Sequence, residues 1–252
     1  MTGFQRFIMA IWVIATLLVV AFAIADFDTT FRLYYSNALQ LLSSLGCGAI
    51  CLSVMGVFPA GSPLRNAWRW IGLGVIAWGV GALIFAGYPL LHDGEDTPYP
   101  YYADIGYLLT SPLIALGLWV FKRGAGLVAP LWGKILAVAV LVVAGYWGYY
   151  ANQEGLSGQG VAMSISSLCY MLFDPILLAI TVLTASSFTG GIVAQTWWKV
   201  VAGVIFYFFA NQAFTYLNLI DNYTTGHWAD IGWMFGFGSI AWAAVTARRM
   251  ML

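Results

Sequence analysis

Charged residues in this chain come in alternating groups, and no other feature constrains the fold as strongly. Arg6 is followed by Asp26, Asp28 and Arg32, then by Arg65 and Arg69, then by Asp93, Glu95, Asp96 and Asp104. Lys122, Arg123 and Lys134 come next, followed by Glu154, Lys199, the pair Asp221 and Asp230, and finally Arg248 and Arg249. Apolar runs separate these groups. Basic residues mark the cytoplasmic ends of membrane helices, so each change of sign reads as one crossing of a bilayer. Only Arg32 breaks the alternation, and only Asp174 falls deep inside a run.

Composition agrees: 62% of residues are hydrophobic and 8% charged, where a soluble domain carries about 25% charged residues. About 20 apolar residues cross the hydrocarbon layer. The runs predict spans near 5–25, 36–58, 66–88, 103–121, 130–150, 161–186, 196–217 and 228–247. The expected fold is an all-α integral membrane protein with eight transmembrane helices and both termini cytoplasmic, multi-pass in a cell (inner) membrane. No basic cluster exceeds three residues, so the bilayer is an expected partner and nucleic acid is not. Arg6, the first run and Ala21-Phe22-Ala23 have the form of a secretory signal. A counterpart of this segment in the second half argues for a retained helix.

That counterpart belongs to an internal duplication. Tyr102-Ala103-Asp104-Ile105-Gly106-Tyr107-Leu108 recurs as Trp228-Ala229-Asp230-Ile231-Gly232-Trp233-Met234, an offset of 230 − 104 = 126 residues. Each copy leads into a span ending in a basic pair. Gly74-Val75-Ile76-Ala77-Trp78 is similarly matched by Gly203-Val204-Ile205-Phe206-Tyr207. The expectation is two parallel four-helix repeats, 1–126 and 127–252, forming one membrane domain. An even number of helices keeps both repeats in one orientation, which puts their symmetry axis along the membrane normal and a site at the central seam. Helices in lipid associate through small residues, so Gly72, Gly74, Gly79 and Gly81 predict a central third helix.

Aromatic residues are expected at the interfaces: Tyr34, Tyr35, Tyr99, Tyr101, Tyr102, Tyr149, Tyr150, Tyr223 and Trp228 outside, and Trp68, Trp70, Trp132, Trp197 and Trp198 inside. Such belts anchor helices at headgroup level. Tyr207 and Phe208 lie too deep for a belt. An aromatic content of 17% leaves lipid or a hydrophobic pigment open as a cofactor.

Asp174 is the sharpest candidate for a ligand-binding residue. A carboxylate at mid-span costs about 2.5–3.5 kcal/mol on insertion scales, and Pro175 removes a backbone donor beside it. The expected polar partners are Asn211, Gln212 and Thr215 on the seventh span, or Gln40 on the second, and Tyr207 joins the candidate ligand-binding set. Either the carboxyl staples two helices or it belongs to a ligand-binding, proton-sensing or ion-conducting site. Asp104 and Asp230 stand at the amino-terminal ends of their helices, as interfacial carboxylates that cap free N–H groups or face each other across the axis.

The remaining residues point to little chemistry. His92-Asp93-Gly94-Glu95-Asp96 lacks the spacing of a calcium loop, and no metal site is expected. His92 and His227, both in outer loops, do not make a haem pair, and no mid-span lysine offers a retinal Schiff base. Cys47, Cys51 and Cys169 lie within spans and suit packing. No nucleophile or phosphate-loop motif occurs, and catalysis is not expected.

Tyr99-Pro100-Tyr101-Tyr102-Ala103-Asp104-Ile105-Gly106-Tyr107-Leu108, with the following Ser111-Pro112-Leu113-Ile114-Ala115-Leu116-Gly117, resembles the multi-helix membrane region that precedes bacterial diguanylate cyclase and phosphodiesterase domains. Leu168-Cys169-Tyr170-Met171-Leu172-Phe173-Asp174-Pro175 is similar to a Tyr-Pro-x-x-Asp segment of that family, with the proline moved past the acid. The resemblance implies a sensory or small-ligand-binding membrane module. Here the chain ends at Leu252 with no output domain of its own, so a signalling partner protein is expected. The alternative is an accessory subunit of a larger bioenergetic or pigment–protein membrane complex. A transporter suits the repeat but not the shortage of intramembrane polar residues.

Overall fold

Each apolar run becomes a long helix. The computed structural model describes residues 3–157 and 160–251, and among them the helices are α1 (Gly3–Ile24), α2 (Thr29–Met55), α3 (Pro63–Leu91), α4 (Ala103–Gly124), α5 (Leu131–Leu156), α6 (Val161–Ala185), α7 (Gly191–Leu219) and α8 (Ile231–Arg248). No strand occurs among the described residues. The seven helices α1–α7 are long and apolar enough to cross a bilayer. α8 has 18 residues, and 3-10 turns at Trp228–Asp230 and Arg249–Met251 extend it at both ends.

Two helix boundaries differ from the sequence expectation in ways that affect the site. α2 begins at Thr29 instead of near 36, because the Asp28 side chain accepts the Phe31 N–H at 2.7 Å and caps the first turn. Arg32 is therefore helical and lies 3.7 Å from Asp26. That pairing accounts for the one basic residue that broke the charge alternation. α5 continues to Leu156 instead of ending near 150, which brings Asn152 inside a helix.

Glycines set the closest packing. An added Cβ at Gly81 would lie 2.6 Å from the Ala103 carbonyl, and one at Gly106 would collide with the backbone of Ala77 and Gly81, so α3 and α4 touch main chain to main chain. On its other side α3 meets α2, where a Cβ on Gly48 would sit 2.6 Å from Ile76 and one on Gly72 2.9 Å from Leu52. α7 and α8 meet likewise at Gly203 and Gly236. Between the halves, α2 packs on α8 and α4 packs on α6. α1 lies at the margin and buries only Thr16 and Val19. Its ties to the rest include hydrogen bonds from Trp12 Nε1 to Ser43 Oγ (3.0 Å) and from the Tyr35 hydroxyl to the Ala15 carbonyl (2.8 Å).

Large aromatic side chains fill the seam between α3 and α7. Trp68 and Trp197 are fully buried and stack with ring centroids 5.8 Å apart, and Phe121 stacks on Trp197 at 4.6 Å. Both tryptophans were expected in an interfacial belt. Their rings face the neighbouring helix instead of the headgroups, a distinction that composition at a helix end does not carry. Trp132 and Trp198 of the same group are exposed.

Candidate functional site

Pro175 lies within α6. It cannot donate to the carbonyl four residues earlier, that of Met171. α5 approaches this turn closely, since a Cβ on Gly148 would be 3.3 Å from the Met171 carbonyl and 3.6 Å from Pro175. Asp174 beside it is 2% exposed and accepts from three side chains. Ser111 Oγ of α4 donates to Oδ1 at 2.6 Å. On Oδ2, Asn211 Nδ2 donates at 2.9 Å and Gln212 Nε2 at 3.2 Å, both from α7.

The orientation of both amides follows from their other partners. Trp233 Nε1, which can only donate, bonds Asn211 Oδ1 at 2.7 Å. The NH₂ of Asn211 must then face Asp174. Asn152 Nδ2 donates to the Gly148 carbonyl at 2.8 Å and to Gln212 Oε1 at 3.0 Å, so Gln212 also turns its NH₂ toward Asp174. Donors converge on Oδ2 from both amides and hold that oxygen as an acceptor. Asn152 Oδ1 is left buried without a protein partner.

Asp104 and Asp230 are 6% and 0% exposed, so both are buried within the protein. Asp230 makes no side-chain bond to the N–H groups of α8. Each reaches back to the segment entering it: Tyr101 N–H donates to Asp104 at 2.8 Å, and Gly226 N–H to Asp230 at 2.9 Å. Each also accepts a tyrosine hydroxyl, from Tyr170 at 3.1 Å and from Tyr223 at 2.8 Å respectively. Asp230 gains two further donors from α2, Ser36 Oγ at 2.8 Å and Gln40 Nε2 at 3.3 Å. Burial, and then the charge of Asp230, push the Tyr223 hydroxyl well above its ordinary range and keep it a donor.

Gln40 therefore serves Asp230 and not Asp174, because α2 packs on α8. Thr215 also lies off Asp174; its hydroxyl bonds the Asn211 carbonyl at 3.0 Å within α7. Tyr207 is buried, its hydroxyl 3.5 Å from the Tyr107 carbonyl.

Between these clusters lies a largely enclosed cavity of about 10 Å³, room for roughly one water. Trp78 and Phe85 of α3, Tyr107 of α4 and Tyr170 of α6 form one part of its wall. Phe214 of α7, Tyr223 of the loop after it and Trp233 of α8 form another, with Gln40 and Asn211 as its amides. Each carboxylate is one hydrogen bond from this wall: Asp104 through Tyr170, Asp230 through Tyr223 and Gln40, and Asp174 through Asn211.

Sequence reasoning missed Ser111, Asn152, Ser36, Tyr170 and Trp233 as members of these clusters. Asn152 was detectable: α5 stays regular for one and a half turns past the apolar run, so a helical reading to Leu156 would have put it on a helix face. Ser36 and Gln40 stand four residues apart, which places them on one helical face. Outside the clusters, burial and then Arg32 lower the affinity of His227 for a proton. Its Nδ1 accepts the Ala229 N–H at 3.2 Å. His92 stacks on Tyr88 with centroids 3.8 Å apart.

No protein family, curated protein or solved structure matches the chain in the comparisons made.

Proposed function

We propose that the protein is a membrane-embedded sensory module that binds a small ligand at its central seam and answers by shifting helix packing. The observation that carries this reading is the enclosed cavity whose wall draws on α2, α3, α4, α6, α7 and α8. A ligand there touches both halves of the chain at once. It favours whichever packing of the halves gives it the better contacts, which is the condition for a ligand to move a conformational equilibrium.

The proposed frame is eight crossings in a cell (inner) membrane, with both termini cytoplasmic and two parallel four-helix repeats. The cross-packing of α2 on α8 and of α4 on α6 supports such a two-fold relation. So do the tyrosine-bonded carboxylates Asp104 and Asp230 and the Trp68–Trp197 stack. A signalling protein is the proposed partner, in keeping with the family resemblance of the 99–117 stretch. The ligand-binding set is Asp174, Asn211, Gln212, Tyr207 and Gln40, joined by Asp230 and Ser111.

Native mass spectrometry of protein released from mild detergent tests the ligand reading. Wild type should carry a bound mass that is not a phospholipid, and Asn211→Leu, which fills the cavity wall, should lose it. Bare wild type from every membrane source would defeat the proposal. Tags at both termini that react with reagents applied outside intact cells would defeat the topology.

The alternative role, an accessory subunit of a larger membrane complex, draws on one observation. α1 exposes an apolar face that includes Phe4, Phe7, Ile11 and Ile14. A stoichiometric protein partner that leaves when α1 is altered would favour that role.

A further inference from the structure

The three buried carboxylates share an imbalance. Their side-chain partners are hydroxyls and amides, and no basic side chain bonds any of them among the described residues. The ion pair found there joins Asp26 to Arg32 in the first turn of α2; Arg32 packs on Gly226 but bonds none of the three carboxylates. Buried carboxylates ordinarily have cationic or metal partners. Here the two amides on Asp174 Oδ2 are fixed as donors by their other partners, and Asp230 accepts from four groups. Such arrangements suit negative charge. All three are linked to one cavity whose remaining surface is aromatic, and aromatic faces attract cations most strongly away from water.

We propose that the seam cavity takes a protonated amine, its ammonium head lying against the rings of Trp78, Tyr107 and Trp233 with the surrounding carboxylates balancing its charge. This deepens the ligand-binding reading above and rests on it. The room of about 10 Å³ suits an ammonium-sized head. A quaternary head, with four carbon substituents, needs several times that space. The site therefore favours a small primary amine over a quaternary one.

The test uses the purified full chain and follows its thermal unfolding midpoint at constant ionic strength. Methylammonium chloride should raise the midpoint saturably above a sodium chloride control. Tetramethylammonium should do so only at higher concentration, and methanol, the neutral counterpart, not at all. Asp230→Asn and Asp174→Asn each remove a charge and keep the shape, and each should weaken half-saturation about tenfold. Asp174→Asn preserves the local hydrogen bonds, so it remains informative if Asp230→Asn does not fold. Three results would overturn the inference: no saturable shift with methylammonium, an unchanged half-saturation in the folded variants, or an equal response to methanol. A methanol response would leave the cavity as a ligand site of another class. The bound-mass experiment decides the ligand reading separately.

Discussion

The contact between α2 and α3 and the contact between α6 and α7 join the same two helices of each half, yet they are built from different chemistry. α2 meets α3 through Gly48, Gly72 and Gly79, where side chains of one helix fill space left by the missing Cβ of the other. α6 meets α7 through Asp174, Asn211 and Gln212, where hydrogen bonds hold the helices together. The position that an offset of 174 − 48 = 126 residues pairs with Asp174 is Gly48. In lipid, where apolar burial brings no advantage between helices, close van der Waals contact and interhelical hydrogen bonds are the two available sources of association. The first gives a joint with a single geometry. The second gives a joint whose strength depends on charge and on what occupies the neighbouring cavity, so the α6–α7 side is the one suited to respond.

Overpacking the glycine joint should have the largest effect. Gly79→Leu must displace Leu45 and crowd Ser44, and overpacking costs about 1–3 kcal/mol or more. Little folded protein should survive size-exclusion chromatography in detergent. Gly46→Leu, on α2 where nothing lies within 4 Å, should elute as wild type. Equal behaviour of the two variants would break the distinction between the joints.

The polar joint comes next. Asp174→Leu leaves the two amide donors and the Ser111 hydroxyl buried without their acceptor, at about 1–3 kcal/mol for each unsatisfied group. Its thermal midpoint should fall clearly below wild type. Asp174→Asn should stay close to wild type, because its carbonyl accepts from Asn211 and Gln212 while its NH₂ donates to Ser111. A variant that replaces Asp174, Asn211 and Gln212 together by leucine should recover part of the loss, since well-packed apolar groups often match a buried polar network.

Trp233→Phe is a finer probe. It removes the donor that orients Asn211 and should cost about 1 kcal/mol. Adding Asn211→Leu to it should then cost less than Asn211→Leu does alone, a coupling that a double-mutant cycle reads directly.

The smallest effect belongs to the outer rim, where His227 lies near Arg32 of α2. Its proton affinity is lowered in the folded protein, so the unfolded chain takes up the proton first as pH falls. Any stability from this residue is complete above its ordinary value of about 6.5 and declines below it, through the lowered folded value. The midpoint difference between pH 8 and pH 5 should shrink slightly in His227→Gln. An unchanged difference would remove His227 from the account.

Helices and their approximate ends were legible because apolar run length and charge at the gaps act locally. Asp174 also stood out locally, as the one carboxylate deep in an apolar run, and the adjacent Asn211 and Gln212 do meet it. Gln40 was assigned to the wrong carboxylate, since no local pattern records that α2 lies against α8. Trp68 and Trp197 were misplaced for a related reason: a tryptophan at a helix end has the same sequence signature whether it faces headgroups or a neighbouring helix. Asp104 and Asp230 looked like caps because their position at helix starts is visible, while Tyr170, Ser36 and Gln40, which bond them, come from elsewhere in the fold.

Sequence alone settled that this chain forms long apolar helices with one anomalous carboxylate, because the cost of placing charge in hydrocarbon is paid residue by residue. Only the tertiary structure decided which helices lie side by side. That choice set three carboxylates one hydrogen bond from the wall of one aromatic cavity and gave each at least one donor from another segment. Helix pairing depends on the fit of glycine gaps and side-chain shapes between segments far apart in the chain, and this information becomes physical only once the helices touch.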